Sequence, residues 1–211
     1  MAAQTAEFFT KQELEAISQA VARAEAHTSG EIATMVVPES DRYREAEQLG
    51  ALLTSGLVAI IPAVLLHHVT IWTYIPLVCL CYFPLLLLFR RFPRLKLSFV
   101  GPRRQTEAVR ERALTAFYQK GLYRTREETG ILIFISLLEH KVWILGDRGI
   151  DARIAAGSWQ TLADELASGI KAGRGAQSLC SVIARCGAEL ARHFPRRSDD
   201  TNELPDQVLT P

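Results

Sequence analysis

The sequence predicts an α/β chain: a small α/β/α sandwich into which a two-helix transmembrane hairpin is inserted. Three observations carry this expectation. Helix-period and strand-period segments alternate through the charged parts of the chain. Two short runs, Ile131 to Leu137 and Lys141 to Leu145, lie close enough to pair as an antiparallel hairpin. Between Glu47 and Arg90 there is no Asp, Glu, Lys or Arg; as one helix that stretch would run to about 63 Å, roughly twice the hydrocarbon thickness of a bilayer. One span does not fit, and two do.

Taken in order, Thr10-Lys11-Gln12-Glu13 has the pattern of a capping box, with Phe9 placed to staple against Leu14. Leu14, Ile17, Val21 and Ala24 then recur at helical spacing, predicting a helix to about His27 that Thr28-Ser29-Gly30 ends. Glu31 to Val37 reads as a strand stopped by Pro38. Arg103 to Lys120 spaces Val109, Leu114, Phe117 and Tyr118 as an amphipathic helix with Gly121 as its stop. Ile131 to Leu137 is too apolar for an edge strand and is expected at the centre of the sheet. Gly146 to Gly149 reads as a turn, and Ser158 to Lys171 and Gln177 to His193 as two further helices. The polar tail over residues 195–211 is expected to be disordered. The domain organisation expected is therefore residues 8–48 and 90–194 as the two parts of one soluble domain, with the hairpin over 49–89 between them.

The spans are placed at Leu49 to Leu66 and Thr70 to Phe89, joined by His67, His68 and Val69. Pro62, Pro76 and Pro84 are costly inside a soluble helix and commoner in membrane helices. The competing reading is a buried hairpin of a soluble protein; uninterrupted apolar runs of this length favour the bilayer. Arg90, Arg91, Arg94 and Lys96 directly follow the second span while the turn carries no Lys or Arg, so both termini are expected on the cytoplasmic side of the cell's inner (plasma) membrane. The same four cations are expected to meet anionic lipid headgroups. An even number of spans returns residues 90–211 to the side of residues 1–47, so the two flanks can share one core.

Charge narrows the function classes. The 211 residues carry 24 basic and 23 acidic side chains, which gives no general signal for nucleic acid. The average hides a segregation, from net −5 over residues 1–47 to net +9 over 90–126 and net −3 over 127–211. No phosphate-binding glycine loop, HExxH or paired CxxC occurs. Cys186 and Arg192 have the C-x5-R spacing of thiol phosphatases, but Cys186 lies inside the helical pattern of Leu179, Val182, Ile183 and Leu190 and reads as core. His67 and His68 read as a solvated bend, and His140 lies in the hairpin turn with no nucleophile nearby in sequence.

One constellation has chemical content. Glu127 and Glu128 precede the central strand, Asp147 and Asp151 follow its partner, and Glu31 opens the first strand. Carboxylates gathered at sheet ends can hold a hard cation such as Ca²⁺ or Mg²⁺. Ordinary turn and cap chemistry accounts for the same residues.

Three stretches resemble the TPM-domain family: Thr28-Ser29-Gly30-Glu31-Ile32, Glu128-Thr129-Gly130-Ile131-Leu132-Ile133, and Val142-Trp143-Ile144-Leu145-Gly146-Asp147-Arg148-Gly149-Ile150-Asp151. They are similar to the family's TGAEI, DNGVLLL and VRIEVGYGLE patterns, over residues 8 to 194, and the inserted hairpin resembles that of a bacterial membrane subgroup. The resemblance implies the α/β/α sandwich and, for some relatives, a divalent-cation site and acid phosphatase activity. Carried over by position, the implied metal ligands are Glu128, Asp147 and Asp151. Here ETG replaces the family's DNG, and Asp147-Arg148-Gly149 replaces GYG, which sets a cation at Arg148 among those ligands. The expected function is that of an integral membrane protein whose cytoplasmic TPM-like domain binds an unidentified membrane protein in assembly or quality control. The alternative is a divalent-cation-dependent, phosphatase-like hydrolase.

Overall fold

The structure is a computed structural model that describes residues 8–65, 70–154, 156–197, 203–204 and 207–209. The chain divides into two compact units, residues 1–40 with 106–211, and residues 41–105.

In the first unit, α1 (Lys11–Glu25) begins at the expected capping box, with Glu13 N donating to Thr10 Oγ1 at 3.3 Å and Thr10 N to Glu13 Oε2 at 2.8 Å. That backbone N–H holds the Glu13 carboxyl below its usual range. Strand β1 (Glu31–Val37) follows, and later in the chain come α5 (Pro102–Gln119), whose residues from 106 on belong to this unit, a 3₁₀ turn (Leu122–Arg124), β2 (Gly130–Ser136) and β3 (Lys141–Gly146). Then α6 (Arg148–Asp151), α7 (Ala156–Lys171) and α8 (Gly175–His193) complete it. The strand order is β1-β2-β3, with β2 central as its composition requires. β1 pairs with β2 in parallel, Glu31 against Gly130 through Val37 against Ser136, and β2 with β3 antiparallel.

Strand alternation sorts the core into two faces. Ile32 and Val36, Ile131, Ile133 and Ile135, and Val142 and Ile144 pack with Ile17 and Val21 of α1, Leu162 and Leu166 of α7, and Val182 and Leu190 of α8. Ala33, Met35, Leu132 and Phe134 face the other way, onto Val109, Ala113 and Phe117 of α5. Helices therefore cover both faces of one small sheet. Each fully buried Ile, Leu or Phe contributes on the order of 1.5–3 kcal/mol through apolar burial. The segments before and after the apolar insertion thus share both cores and the sheet itself.

Two expectations for this unit are corrected. Gly146 to Gly149 is not a simple turn: Asp147 caps the four-residue α6. The tail over 195–211 is docked where it is described, with Pro195 bridging Thr28 and Leu209 bridging Met35. The physical reason is that β1 is an edge strand whose outward N–H and C=O groups need partners, while Leu204 and Leu209 supply apolar side chains to the second core.

In the second unit, α2 (Arg44–Leu65) and α3 (Ile71–Arg91) are each long and apolar enough to cross a membrane. α2 starts before the expected Leu49, with Glu45 and Glu47 in its first turn complementing the helix dipole. Leu66 and the expected turn at His67, His68 and Val69 lie outside the described residues. Ala51, Ser55, Ala59 and Ala63 form a buried stripe on α2, and Tyr74 Oη of α3 donates to Gly56 O at 2.9 Å. Small residues at that spacing let helices approach closely. At Gly50 a Cβ would lie 2.6 Å from the Phe89 ring. By contrast Leu57, Leu65, Leu80 and Phe83 are each at least 70% exposed.

After α3 comes α4 (Pro93–Leu97). The expected row of headgroup cations is corrected at Lys96, which is buried: its Nζ donates to Arg42 O at 2.9 Å and lies 5.9 Å from the Tyr43 ring centre. Arg90 is exposed but paired with Glu47 at 2.7 Å. Arg91 and Arg94 are exposed.

Candidate functional site

The sheet register gathers the acidic residues singled out in the sequence. Glu31 pairs with Gly130, and Ile131 with Gly146, so the starts of β1 and β2 and the end of β3 share one end of the sheet. Glu31, the Glu127–Thr129 turn and Asp147 to Asp151 form a rim there.

The rim is held mainly by backbone bonds. Thr125 Oγ1 accepts from Thr129 N at 2.9 Å, and Thr129 Oγ1 donates to Ser29 O at 3.2 Å. Glu128 takes a left-handed conformation, φ 54°, which turns its carbonyl to accept from Gly149 N at 3.1 Å. Asp147 N donates to Gly130 O at 2.9 Å. The approach of α6 to this turn depends on Gly149, where a Cβ would lie 2.6 Å from Glu127 O and 2.8 Å from Glu128 O.

Asp147 Oδ1 accepts from Arg148 N at 2.7 Å, while its Oδ2 is buried with no hydrogen-bond partner among the described residues. Burial pushes the nearby Asp151 carboxyl up from its usual range, and the Asp147 charge pushes it further. Glu127 is ion-paired with Arg197. Glu31 is buried and its Oε1 accepts from Glu203 N at 3.2 Å; Glu203 Oε2 in turn accepts from Arg126 N at 3.0 Å.

Of the implied metal ligands, then, Asp147 and Asp151 are neighbours, while Glu128 enters through its backbone carbonyl. Among the described residues no three His, Cys, Asp or Glu side chains gather as a group able to hold a metal. A hard cation needs several converging oxygens. The donor set present does not fit the three-carboxylate site that the resemblance implies, and no hydrolytic step follows from it.

The thiol alternative fails on electrostatics. Cys186 is buried in the middle of α8, and burial pushes its thiol up to about 12, so it is protonated at neutral pH. His140 occupies the β2–β3 turn with a left-handed φ of 51°.

Sequence reasoning missed a polar cluster at the opposite end of the sheet. Glu139 is buried; its Oε1 accepts from Ser40 N at 3.1 Å, its Oε2 accepts from Ser136 Oγ, and Ser40 Oγ donates to Ser136 Oγ at 2.8 Å. Nothing in the local pattern marks Glu139, because its partner Ser40 lies 99 residues away. The cluster ties the end of β1 to the hairpin turn.

The family model for the TPM domain matches residues 99–189. A search of curated proteins gives no match. Among solved structures, the chain is similar to the NMR structure of the BA42 protein from the psychrophilic bacterium Bizionia argentinensis, with a TM-score of 0.62, 22% identity and 97% of each chain covered. That likeness shows the fold. The matched segment holds α5, β2, β3, α6, α7 and most of α8, so that part of the chain is similar to the TPM domain.

Proposed function

We propose that this chain is an integral membrane protein whose two apolar helices cross the bilayer and return, and whose TPM domain acts on the cytoplasmic side as a binding module in assembly or quality control of membrane proteins. The observation that supports it most is the exposed apolar surface of α2 and α3, with Leu57, Leu80 and Phe83 turned outward on helices long enough to span. In water such a surface is a liability; in lipid it is the expected one. Arg91 and Arg94 follow the second helix in the arrangement that positive-inside placement favours, and they, rather than Lys96, are suited to anionic headgroups. The domain offers a rim of acidic side chains and glycine-dependent turns, and no complete catalytic set among its described residues supports the hydrolase alternative.

The test is a photoreactive amino acid placed at Arg148 or Asp151 on the rim, compared with one at exposed Gln160 on α7. The expected result is light-dependent crosslinks to an integral membrane protein from the rim and none from position 160. Should the rim stay silent while the purified protein binds Ca²⁺ or Mg²⁺ saturably, loses that binding in Asp147→Ala and cleaves a phosphomonoester, the hydrolase reading replaces this one.

A further inference from the structure

β1 stands at the edge of the three-stranded sheet, and its outer side presents backbone groups to other parts of the chain. In the parallel pairing with β2, Glu31 N donates to Thr129 O and Val37 O accepts from Leu137 N, so the odd-numbered residues of β1 bond inward and the even-numbered ones point their backbone groups outward. Ile32 N is met by Glu25 Oε1 at 2.7 Å. Further along, Leu209 N donates to Thr34 O at 2.7 Å and Val36 N donates to Leu209 O at 3.2 Å. The chain's own Leu209 thus forms a parallel bridge against β1, beside Met35. Leu209 reaches the second core and Val208 the first, so adjacent aliphatic residues straddle the sheet.

The fit is incomplete at one atom. Thr34 is 1% exposed and its Oγ1 has no hydrogen-bond partner among the described residues. Leu209 opposite Met35 sets Val208 next to Thr34, on the same face. An aliphatic side chain therefore sits where a buried hydroxyl needs a partner, and a buried hydroxyl without one is costly.

We infer that the β1 edge is a docking strand for an extended segment of another polypeptide, one bearing Ser or Thr followed by an aliphatic residue, and that Val208–Leu209 is the resident competitor for that seat. The incoming segment would add in parallel through the same Thr34 and Val36 backbone groups. Its hydroxyl would satisfy Thr34 and its aliphatic residue would take the place of Leu209. This deepens the proposed binding role by naming the kind of partner; it does not depend on the helices crossing lipid or on the acidic rim.

The experiment uses the detergent-solubilised full chain, its Leu209→Asp variant, and two labelled peptides: residues 203–211, and the same peptide with Val208→Thr. The expected result is that Val36 amide exchange quickens in Leu209→Asp and is slowed again by either peptide. That variant should bind the Val208→Thr peptide about tenfold more tightly than the unaltered one, and Thr34→Val should abolish the difference. A Leu209→Asp chain that binds neither peptide, or equal affinity for the two, would overturn the inference. Should Leu209→Asp misfold, a protease site engineered within residues 198–202 and cut after folding frees the tail instead. Displacement of the cut tail by the Val208→Thr peptide then supports the inference, and its retention against excess peptide overturns it.

Discussion

Replacing Gly187 by Ala tests whether the segments on either side of the apolar insertion share one core. Gly187 lies on α8 and faces Ala24 of α1: a Cβ added at 187 would stand 2.6 Å from Ala24 Cβ and 3.1 Å from Ala24 Cα. Carbon atoms pack at about 3.5–4.0 Å, so the two helices would have to separate by about 1 Å. Overpacking of that kind costs about 1–3 kcal/mol, offset by the roughly 1 kcal/mol that Ala gains over Gly in a helix interior. A net loss of up to about 2 kcal/mol is expected for Gly187→Ala. Ala24→Gly alone costs up to about 1 kcal/mol in helix propensity, yet it removes the atom responsible for the closest clash. The double variant should therefore be more stable than the sum of the singles by about 1 kcal/mol or more, with the 3.1 Å contact limiting the relief. The assay is urea unfolding in detergent, followed by the fluorescence of Trp143 and Trp159, both in the unit that holds the sheet, in a background where exposed Trp72 is Phe. Additivity within about 0.5 kcal/mol would refute the reasoning, because it would mean that α1 and α8 do not touch.

Three other outcomes follow from the rim and the core. Gly149→Ala should destabilise the domain by about 1–3 kcal/mol, since its Cβ meets two fixed backbone oxygens; an unchanged urea midpoint would show that α6 sits further from the Glu127–Glu128 turn. For Asp151, the folded carboxyl holds its proton more tightly than the unfolded one, whose usual value is 3.8. Its contribution to stability is therefore fully present below that value and is lost as pH rises through the raised one. Asp151→Asn should flatten that fall and raise stability at neutral pH, by less than about 1 kcal/mol at so exposed a position; a lower midpoint at neutral pH would mean the charge has a favourable partner. Cys186, buried with a thiol pushed up to about 12, should resist alkylation in the native protein and react only on unfolding. Native labelling at Cys186 measured by mass spectrometry would contradict its place in the core.

Elements whose cause is local were legible in the sequence. Thr10 and Glu13 fix the start of α1, and the β-branched runs set β1 at Glu31–Val37 and β2 next to β3. What escaped depends on distant partners. The parallel pairing of β1 with β2 joins residues separated by the whole insertion, and periodicity says nothing about such pairs. Lys96 reads as one of a row of headgroup cations until its ammonium is seen to reach the Arg42 carbonyl. The tail looks disordered by composition, yet two leucines and an open strand edge are enough to seat part of it. At the rim, the sequence located the acidic positions but not their roles: Asp147 acts as a cap, and Glu128 offers its carbonyl rather than its carboxylate to Gly149. Only the fold could separate those uses, because an Asp at a strand end serves a turn or cap through its own backbone bonds as readily as it serves a ligand.

The central claim, a domain split by a hairpin that enters and leaves the bilayer on one side, is tested most directly by topology reporters. Fusions active only in the cytoplasm and fusions active only beyond it would be placed at each terminus and, in separate chains, between His67 and His68. The account predicts cytoplasmic signal from both ends and external signal from the turn. Termini on opposite sides, or all three sites on the cytoplasmic side, would contradict it.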